Sequence, residues 1–214
     1  MGTMNNAKKQ ISSSALINLV GILLGAALNL WLLPKLFSTE ELGMYRWMER
    51  SAVLLSNILL FGIHRSFTKF HSDPSKDKKE FESTVVGRST LLMLAVGVLV
   101  FVFGPLLAPY FSFKPEDAYL LRYLSFFIVS GMAFLMAVSA AATTKKIAVP
   151  VFIKNMGLRI AMIALAFVLL FTSGIFGFNH WLIAYAWASL ALGAVALLYA
   201  WNRVKPTFLF KHLW

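Results

Sequence analysis

Charged and polar side chains that could bind a ligand recur along one face of the segment 45–70. If this segment is helical, four of them fall within an arc of about 40° and span about 27 Å of helix, and a carboxylate is adjacent. The four are Arg46, Arg50, Asn57 and His64, and the carboxylate is Glu49. This pattern is typical of a polar stripe that runs along a helix, and the stripe is the first candidate for chemistry in the chain.

Two interpretations of this stripe stay open. A charge that faces lipid at depth costs at least a few kcal/mol, so such residues normally face a bundle interior or water, which favours a transport pathway. Alternatively, Arg46 and Arg50 extend to the outer headgroups and Glu49 pairs locally. Asn57 could then be an interhelical contact, and His64 with its neighbour Arg65 could contact lipid phosphates.

A second polar stripe lies on the apolar segment before it. Ser14, Asn18, Gly21, Gly25 and Asn29 share an arc of about 80° on a helix. The glycines form a GxxxG pattern, which is typical of a close helix–helix contact with the asparagines bonded to a neighbour. The other interpretation is that Asn18 and Asn29 line an aqueous cavity.

Residue sets for catalysis or metal binding are not found. The four histidines are dispersed, there is no cysteine, no glycine-rich phosphate loop and no acidic cluster for a divalent ion. We therefore expect no enzyme, no catalytic residue, no metal and no cofactor.

The composition indicates a membrane protein. The hydrophobic share is 59% and the charged share 14%, and the mean hydropathy is +0.73. The apolar residues fall in long blocks, as in membrane spans. The net charge of +11 is then explained by basic cytoplasmic loops, and we expect no nucleic acid partner.

Six spans can be drawn, each near the roughly 20 residues that cross a bilayer. We predict an all-α integral membrane protein with one six-helix unit over 1–204, followed at 205–214 by a cytoplasmic tail or linker. The stretch 147–156, which contains Pro150 and Lys154, is interpreted as an interfacial or broken helix. The six spans are 14–37, 45–70, 85–111, 119–142, 157–175 and 181–201.

The turn between the first two spans carries a helix-start signal. Ser38 is placed to cap the second helix, and Glu41, three residues on, is in capping-box position.

Lysine and arginine positions predict the orientation. In this layout, 15 of the 20 basic residues lie on the side of the two termini, which the positive-inside rule places in the cytoplasm. Lys154 and Arg159 are counted on that side. The remaining five are Lys35, Arg46, Arg50, Lys114 and Arg122.

The chain resembles the N-terminal half of bacterial polysaccharide flippases, a family of the multidrug/oligosaccharidyl-lipid/polysaccharide exporter superfamily. The resemblance rests on STEELGMY at 38–45, on FGIHRSFTKF at 61–70 and on VPVFIKNMGLRIAMIALAFVLLF at 149–171. It implies two six-helix lobes around a central cavity that work by alternating access. It also implies a polyprenyl-pyrophosphate-linked oligosaccharide as substrate, moved across the bacterial inner membrane for polysaccharide or lipopolysaccharide biosynthesis.

A cationic cavity fits such a substrate, because it offsets the desolvation of pyrophosphate. Arg46 and Arg50 are the outer candidates, and Arg65, Lys154 and Arg159 the inner ones. Members of the family are about twice as long as this chain, so the resemblance implies one lobe that needs the C-terminal lobe or a second copy.

Two other functions remain open. One is a multidrug or small-molecule exporter lobe of the same superfamily, which should use carboxylates rather than arginines. The other is a non-transporting membrane scaffold for glycan assembly, in which the loop around 76–79 binds partners.

Overall fold

The computed structural model describes residues 2–60, 62–63, 78–111, 114–143, 147–172 and 177–204, and their side chains from residue 15 onward except for 78–80. All regular secondary structure within these ranges is helical, so the predicted all-α class is confirmed for the part of the chain that is described.

Irregular helical segments connect several of the α-helices. The π-helical turn Leu28–Leu32 joins α1 to α2, and the π-helical turn Ile153–Gly157 joins α6 to α7. Two 3₁₀ segments, Gly104–Phe111 and Pro115–Tyr123, lie between α4 and α5. The α-helices are α1 (Gly2–Ala27), α2 (Leu33–Leu36), α3 (Thr39–Leu59), α4 (Lys78–Phe103), α5 (Leu124–Thr143), α6 (Ala148–Phe152), α7 (Leu158–Phe171) and α8 (Phe178–Val204).

Five helical stretches of the described chain are long and apolar enough to cross a membrane. They place the protein in the multi-pass membrane class, and they lie at Ala15–Leu36, Phe81–Phe111, Pro115–Thr143, Ala148–Phe171 and Phe178–Val204. The helix α3 has 21 residues, but it is less apolar than these five stretches because it contains Arg46, Glu49 and Arg50. It begins at Thr39 rather than at Tyr45, and the rest of the predicted second span lies outside the described residues.

The predicted capping box is present at the start of α3. The Ser38 backbone N–H donates to Glu41 Oε2 at 2.7 Å, and the Glu41 backbone N–H donates to Ser38 Oγ at 3.3 Å. This reciprocal pair satisfies two backbone donors that a helix start would otherwise leave free.

The prediction that 147–156 is a broken or interfacial helix is wrong in one respect. The stretch is part of one helical run, Ala148–Phe171, of 24 residues. Pro150 stands in the first turn of this run, where its missing N–H has no helical acceptor to lose. The irregularity that does occur is the π-helical turn, and it widens the helix without ending it.

The helix α5 is the hub of the bundle, and three adjacent residues make its closest contacts. A Cβ on Gly97 of α4 would lie 2.8 Å from Val129, and one on Gly193 of α8 would lie 2.8 Å from the Cα of Ser130. A Cβ on Gly131 itself would overlap the hydroxyl of Ser56 on α3. Small residues thus allow three helices to approach α5 at one level.

Hydroxyl groups bond across the same contacts. Ser56 Oγ donates to the Ile128 carbonyl at 2.9 Å, and the hydroxyls of Ser130 and Ser189 are 2.7 Å apart. All three serines are buried. Interhelical hydrogen bonds of this kind fix both the depth and the rotation of α3 and α8 relative to α5.

An aromatic cluster closes the bundle near the start of α3 and α8. The Trp181 ring lies 4.9 Å from Phe37, 5.4 Å from Tyr45 and 5.5 Å from Tyr185, measured between ring centroids. Edge-to-face and stacked pairs at these distances add stabilisation beyond buried area. Tyr45 is only 1% exposed, so this cluster anchors the first turns of α3.

The contact between Gly193 and Ser130 gives the first prediction. Gly193→Ala should lower the free energy of unfolding by about 1–3 kcal/mol, because the new methyl group meets backbone that cannot move aside cheaply. Thermal unfolding of the purified protein in detergent would measure it as a fall in Tm. The matched control is Gly43→Ala on α3, where a Cβ meets nothing within 4 Å. If the two variants unfold together, α5 and α8 are not packed as described.

Candidate functional site

The predicted polar stripe of α3 faces outward. Arg46, Arg50 and Asn57 are exposed, and Glu49 at the edge of the stripe is half-buried. The opposite face packs into the bundle through buried side chains, namely Leu42, Tyr45, Met48, Ala52 and Ser56. The helical spacing read from the sequence is therefore confirmed for these residues, while His64 and Arg65 lie outside the described residues.

The sequence predicted Arg159 near the start of its span. In the structure, Arg159 lies in the middle of its helix. It is the twelfth residue of the 24-residue run Ala148–Phe171, roughly 18 Å from either end. Lys154 is also within this run, on the π-helical turn. The prediction counted both residues on the cytoplasmic side, with Lys154 in an interfacial or broken helix and Arg159 at the start of the fifth span. The helical run instead begins before both of them.

The GxxxG pattern of α1 provides the space for Arg159. A Cβ on Gly21 would lie 2.6 Å from Arg159 Nη1, and one on Gly25 would lie 2.6 Å from Arg159 Nε. The guanidinium therefore rests directly on the backbone of α1, in a position that alanine at either site would obstruct. The sequence predicted a close contact here, and it exists, but the partner is a charged side chain.

The two asparagines of the first stripe both contact neighbours. Asn155 Nδ2 donates to Asn18 Oδ1, which joins the π-helical turn after α6 to α1. Asn29 Nδ2 donates to the Gly25 carbonyl of its own helix at 2.9 Å. The interpretation of this stripe as a helix–helix seam is therefore supported around Asn18.

Irregular backbone supplies the acceptor for Arg46. Arg46 Nη2 donates to the Asn29 carbonyl at 3.2 Å, and this carbonyl lies in the π-helical turn Leu28–Leu32. There the Leu33 N–H donates to the Leu28 carbonyl, and Pro34, the next residue, has no N–H. The Asn29 carbonyl thus lacks a backbone donor, and the guanidinium supplies one.

Arg159 also donates to a carbonyl within a π-helical turn. Its Nη1 donates to the Asn155 carbonyl at 2.8 Å, which lies in the second π-helical turn, Ile153–Gly157. Single π-helical turns occur often at functional sites, and both arginine acceptors described here lie in one.

Glu49 lies within electrostatic range of three arginines. They are Arg50, Arg159 and Arg46, so residues from α3 and α7 act on one carboxylate. One turn earlier on α3, the Tyr45 ring lies 5.9 Å from the Tyr185 ring, measured between centroids. Among the described residues, no arginine nitrogen approaches Glu49 closely enough to form an ion pair of 4.0 Å or less.

These four side chains form what we call the charge cluster: Arg46, Glu49, Arg50 and Arg159. Arg50 donates no hydrogen bond to any described residue, and Arg46 and Arg159 each donate one, to a backbone carbonyl. Each guanidinium carries five N–H donors. The cluster can therefore bind an anion through charge-assisted hydrogen bonds without breaking an existing ion pair.

Two predicted site residues lie apart from the cluster. Asn57 is seven residues beyond Arg50, about 10 Å along α3, and its Nδ2 donates to the Val53 carbonyl of its own helix at 2.8 Å. Lys154 is exposed, and no described contact joins it to Glu49. Within the described ranges there is also no group of three or more residues that could hold a metal ion.

Sequence reasoning missed the residues that hold the cluster in place. Gly21 and Gly25 were noted as a seam, but their role as a seat for Arg159 depends on a helix that is more than 130 residues away in sequence. Pro34 offered a local signal, since it stands five residues after Asn29 in a helix that continues through it. For Tyr45 and Tyr185, the sequence contains no signal other than their positions near the ends of their helices.

The Asn18–Asn155 hydrogen bond gives the second prediction. Asn18→Leu and Asn155→Leu should each destabilise the protein, and the double variant should be less destabilised than the sum of the two. A coupling of about 0.6 kcal/mol, and up to about 1.7, is typical of hydrogen bonds between membrane helices. Unfolding of the four proteins in mixed micelles would measure it. Strict additivity of the single effects would contradict the contact.

Comparison with known proteins leaves the family undecided. The chain matches no protein-family model, no curated protein and no solved structure.

Proposed function

We propose that this chain is the N-terminal lobe of a flippase that moves a polyprenyl-pyrophosphate-linked oligosaccharide across the bacterial inner membrane for polysaccharide biosynthesis. The observation that supports the proposal most is the charge cluster, with three guanidinium groups and one carboxylate. One of the three, Arg159, is halfway along a helix long and apolar enough to cross the membrane. The resemblance of the sequence to polysaccharide flippases agrees with it.

The chemistry of the cluster suits a pyrophosphate. Moving a multiply charged headgroup out of water is costly unless fixed positive charges and donors replace its hydration. Arginine can offer two parallel N–H groups to phosphate oxygens, and it remains charged in a membrane interior. The sugar part of the substrate does not need this positive charge. It needs only a polar lining, such as Asn57 provides.

The exposed face of α3 supports a two-lobe arrangement. Arg46, Arg50 and Asn57 are exposed, and polar groups at this depth normally face protein or water rather than lipid. In the proposal, the C-terminal lobe or a second copy of the chain covers this face. The space between the lobes is then a cavity with one positively charged wall.

An alternative function is a small-molecule exporter lobe of the same superfamily. Glu49 favours it, because a half-buried carboxylate within a helix could bind a cationic drug. The surplus of arginines around Glu49 favours an anion instead. Binding of a lipophilic cation in preference to a polyprenyl pyrophosphate would reverse the assignment.

The cluster gives the third prediction. Arg50→Gln should weaken binding of polyprenyl pyrophosphate about tenfold or more, because a hydrogen bond to a charged group contributes about 1.5–3 kcal/mol. Binding would be measured with the protein in nanodiscs of neutral lipid, with the uncharged polyprenol as reference ligand.

The control for this experiment is Arg122→Gln. Arg122 is exposed, and its guanidinium lies over the Phe101 ring at 6.0 Å, outside the charge cluster. The Arg122→Gln variant should bind polyprenyl pyrophosphate with the same affinity as wild type. Equal binding by the wild type, Arg50→Gln and Arg122→Gln would sink the proposed anion site.

The orientation gives the fourth prediction. Because the chain contains no cysteine, single cysteines can be introduced and labelled without a background signal. With both termini cytoplasmic, Lys114→Cys should react with an impermeant maleimide in intact spheroplasts, and Asn5→Cys should react only after lysis. The opposite pattern would invert the proposed topology.

A further inference from the structure

We infer that Glu49 is an exchangeable counter-ion: it balances the arginines of the charge cluster while the site is empty, and an anionic headgroup takes its place when it binds. The inference rests on the proposed function, because it specifies how the same anion site behaves when no substrate is present. It concerns Glu49 alone, which sequence reasoning treated as a further ligand-binding candidate.

The first argument is the balance of charge. Arg46 and Arg50 lie beyond the first turn of α3, and Arg159 lies in the middle of the run Ala148–Phe171 with its seat on α1. Uncompensated charges in a membrane interior are costly. Glu49 is the acidic residue on which all three arginines act. The other described acidic side chains lie in the first turns of helices or in the segment before α5, and they are Glu40, Glu41, Glu82, Glu116 and Asp117.

The second argument is the looseness of the pairing. In the described part of the chain, none of the three arginines is within 4.0 Å of the Glu49 carboxylate. Arg46 and Arg159 donate instead to the carbonyls of Asn29 and Asn155. A locked ion pair would have to be broken before an anion could bind, at a high desolvation cost. Here an anion can approach the arginines while Glu49 remains where it is.

The third argument is that Glu49 stands on a rigid part of α3. Tyr45, one turn earlier, is buried, and its hydroxyl donates to Met162 Sδ at 3.7 Å. The Tyr45 ring packs on Trp181 and Tyr185 with centroids 5.4 and 5.9 Å away. The turn of α3 next to Glu49 is therefore fixed in the bundle, so Glu49 keeps its place when the arginines turn to a ligand.

The exchange has opposite effects on binding and on transport. Without the carboxylate, the arginines attract an anion more strongly, because they no longer divide their field between two partners. The empty protein, however, then carries three uncompensated charges when it changes conformation. Removal of the negative charge should thus tighten binding and slow turnover, a combination that general structural damage does not produce.

The test compares Glu49→Gln with wild type, using the full chain in neutral-lipid nanodiscs and inorganic pyrophosphate as the probe. We expect Glu49→Gln to bind pyrophosphate about tenfold more tightly. Glu116→Gln, which removes a carboxylate outside the cluster, should bind like wild type. Flipping of a fluorescent polyprenyl-pyrophosphate glycan, with the C-terminal lobe or a second copy present, should be slower for Glu49→Gln.

The outcomes separate the two proposals. If wild type and Glu49→Gln both fail to bind pyrophosphate, the proposed function is wrong. If wild type binds and Glu49→Gln binds equally or more weakly, the counter-ion role is overturned while the anion site remains. If Glu49→Gln fails to fold, Glu49→Asp provides a second test. It keeps the negative charge, but its shorter side chain draws the carboxylate away from α7. It should bind pyrophosphate a few-fold more tightly than wild type, and unchanged or weaker binding would overturn the role.

Discussion

The contact of α5 with three other helices at residues 129–131 is the constraint on which the other arrangements depend. A serine hydroxyl and two glycines bring α3, α4 and α8 against the same level of α5. Because small residues permit only one close approach, α3 cannot rotate freely around its axis. Its apolar and aromatic side must face inward, and its arginines must face outward.

The charged residues are accommodated by backbone rather than by other charges. Two helices, the one that contains Asn29 and the one that contains Asn155, each contain a π-helical turn, and each turn offers a carbonyl to an arginine. The Asn29 carbonyl lacks a helical donor, and a membrane offers no water to replace it. Each π-helical turn holds one guanidinium group and leaves most of its N–H donors available.

Features that depend on local sequence could be predicted. The capping box of Ser38 and Glu41, the all-helical class and the shared face of Arg46, Arg50 and Asn57 follow from spacing along one helix. The position of Arg159 could not, because Pro150 suggested a break where the helix in fact begins. The seat on Gly21 and Gly25, and the convergence on Glu49, are tertiary contacts between distant segments, which periodicity within one helix does not encode.

A π-helical turn holds one more residue than the α-helical turn it replaces. Loss of one codon within Ile153–Gly157 would restore regular winding and rotate one half of the helix against the other by roughly 100°. The face of α6 that packs on α1 and the Arg159 side chain could then no longer both face α1. The packing of α6 on α1 and the position of Arg159 thus depend on the length of the chain as well as on its side chains, so that a single deletion could remove both without any substitution in the charge cluster.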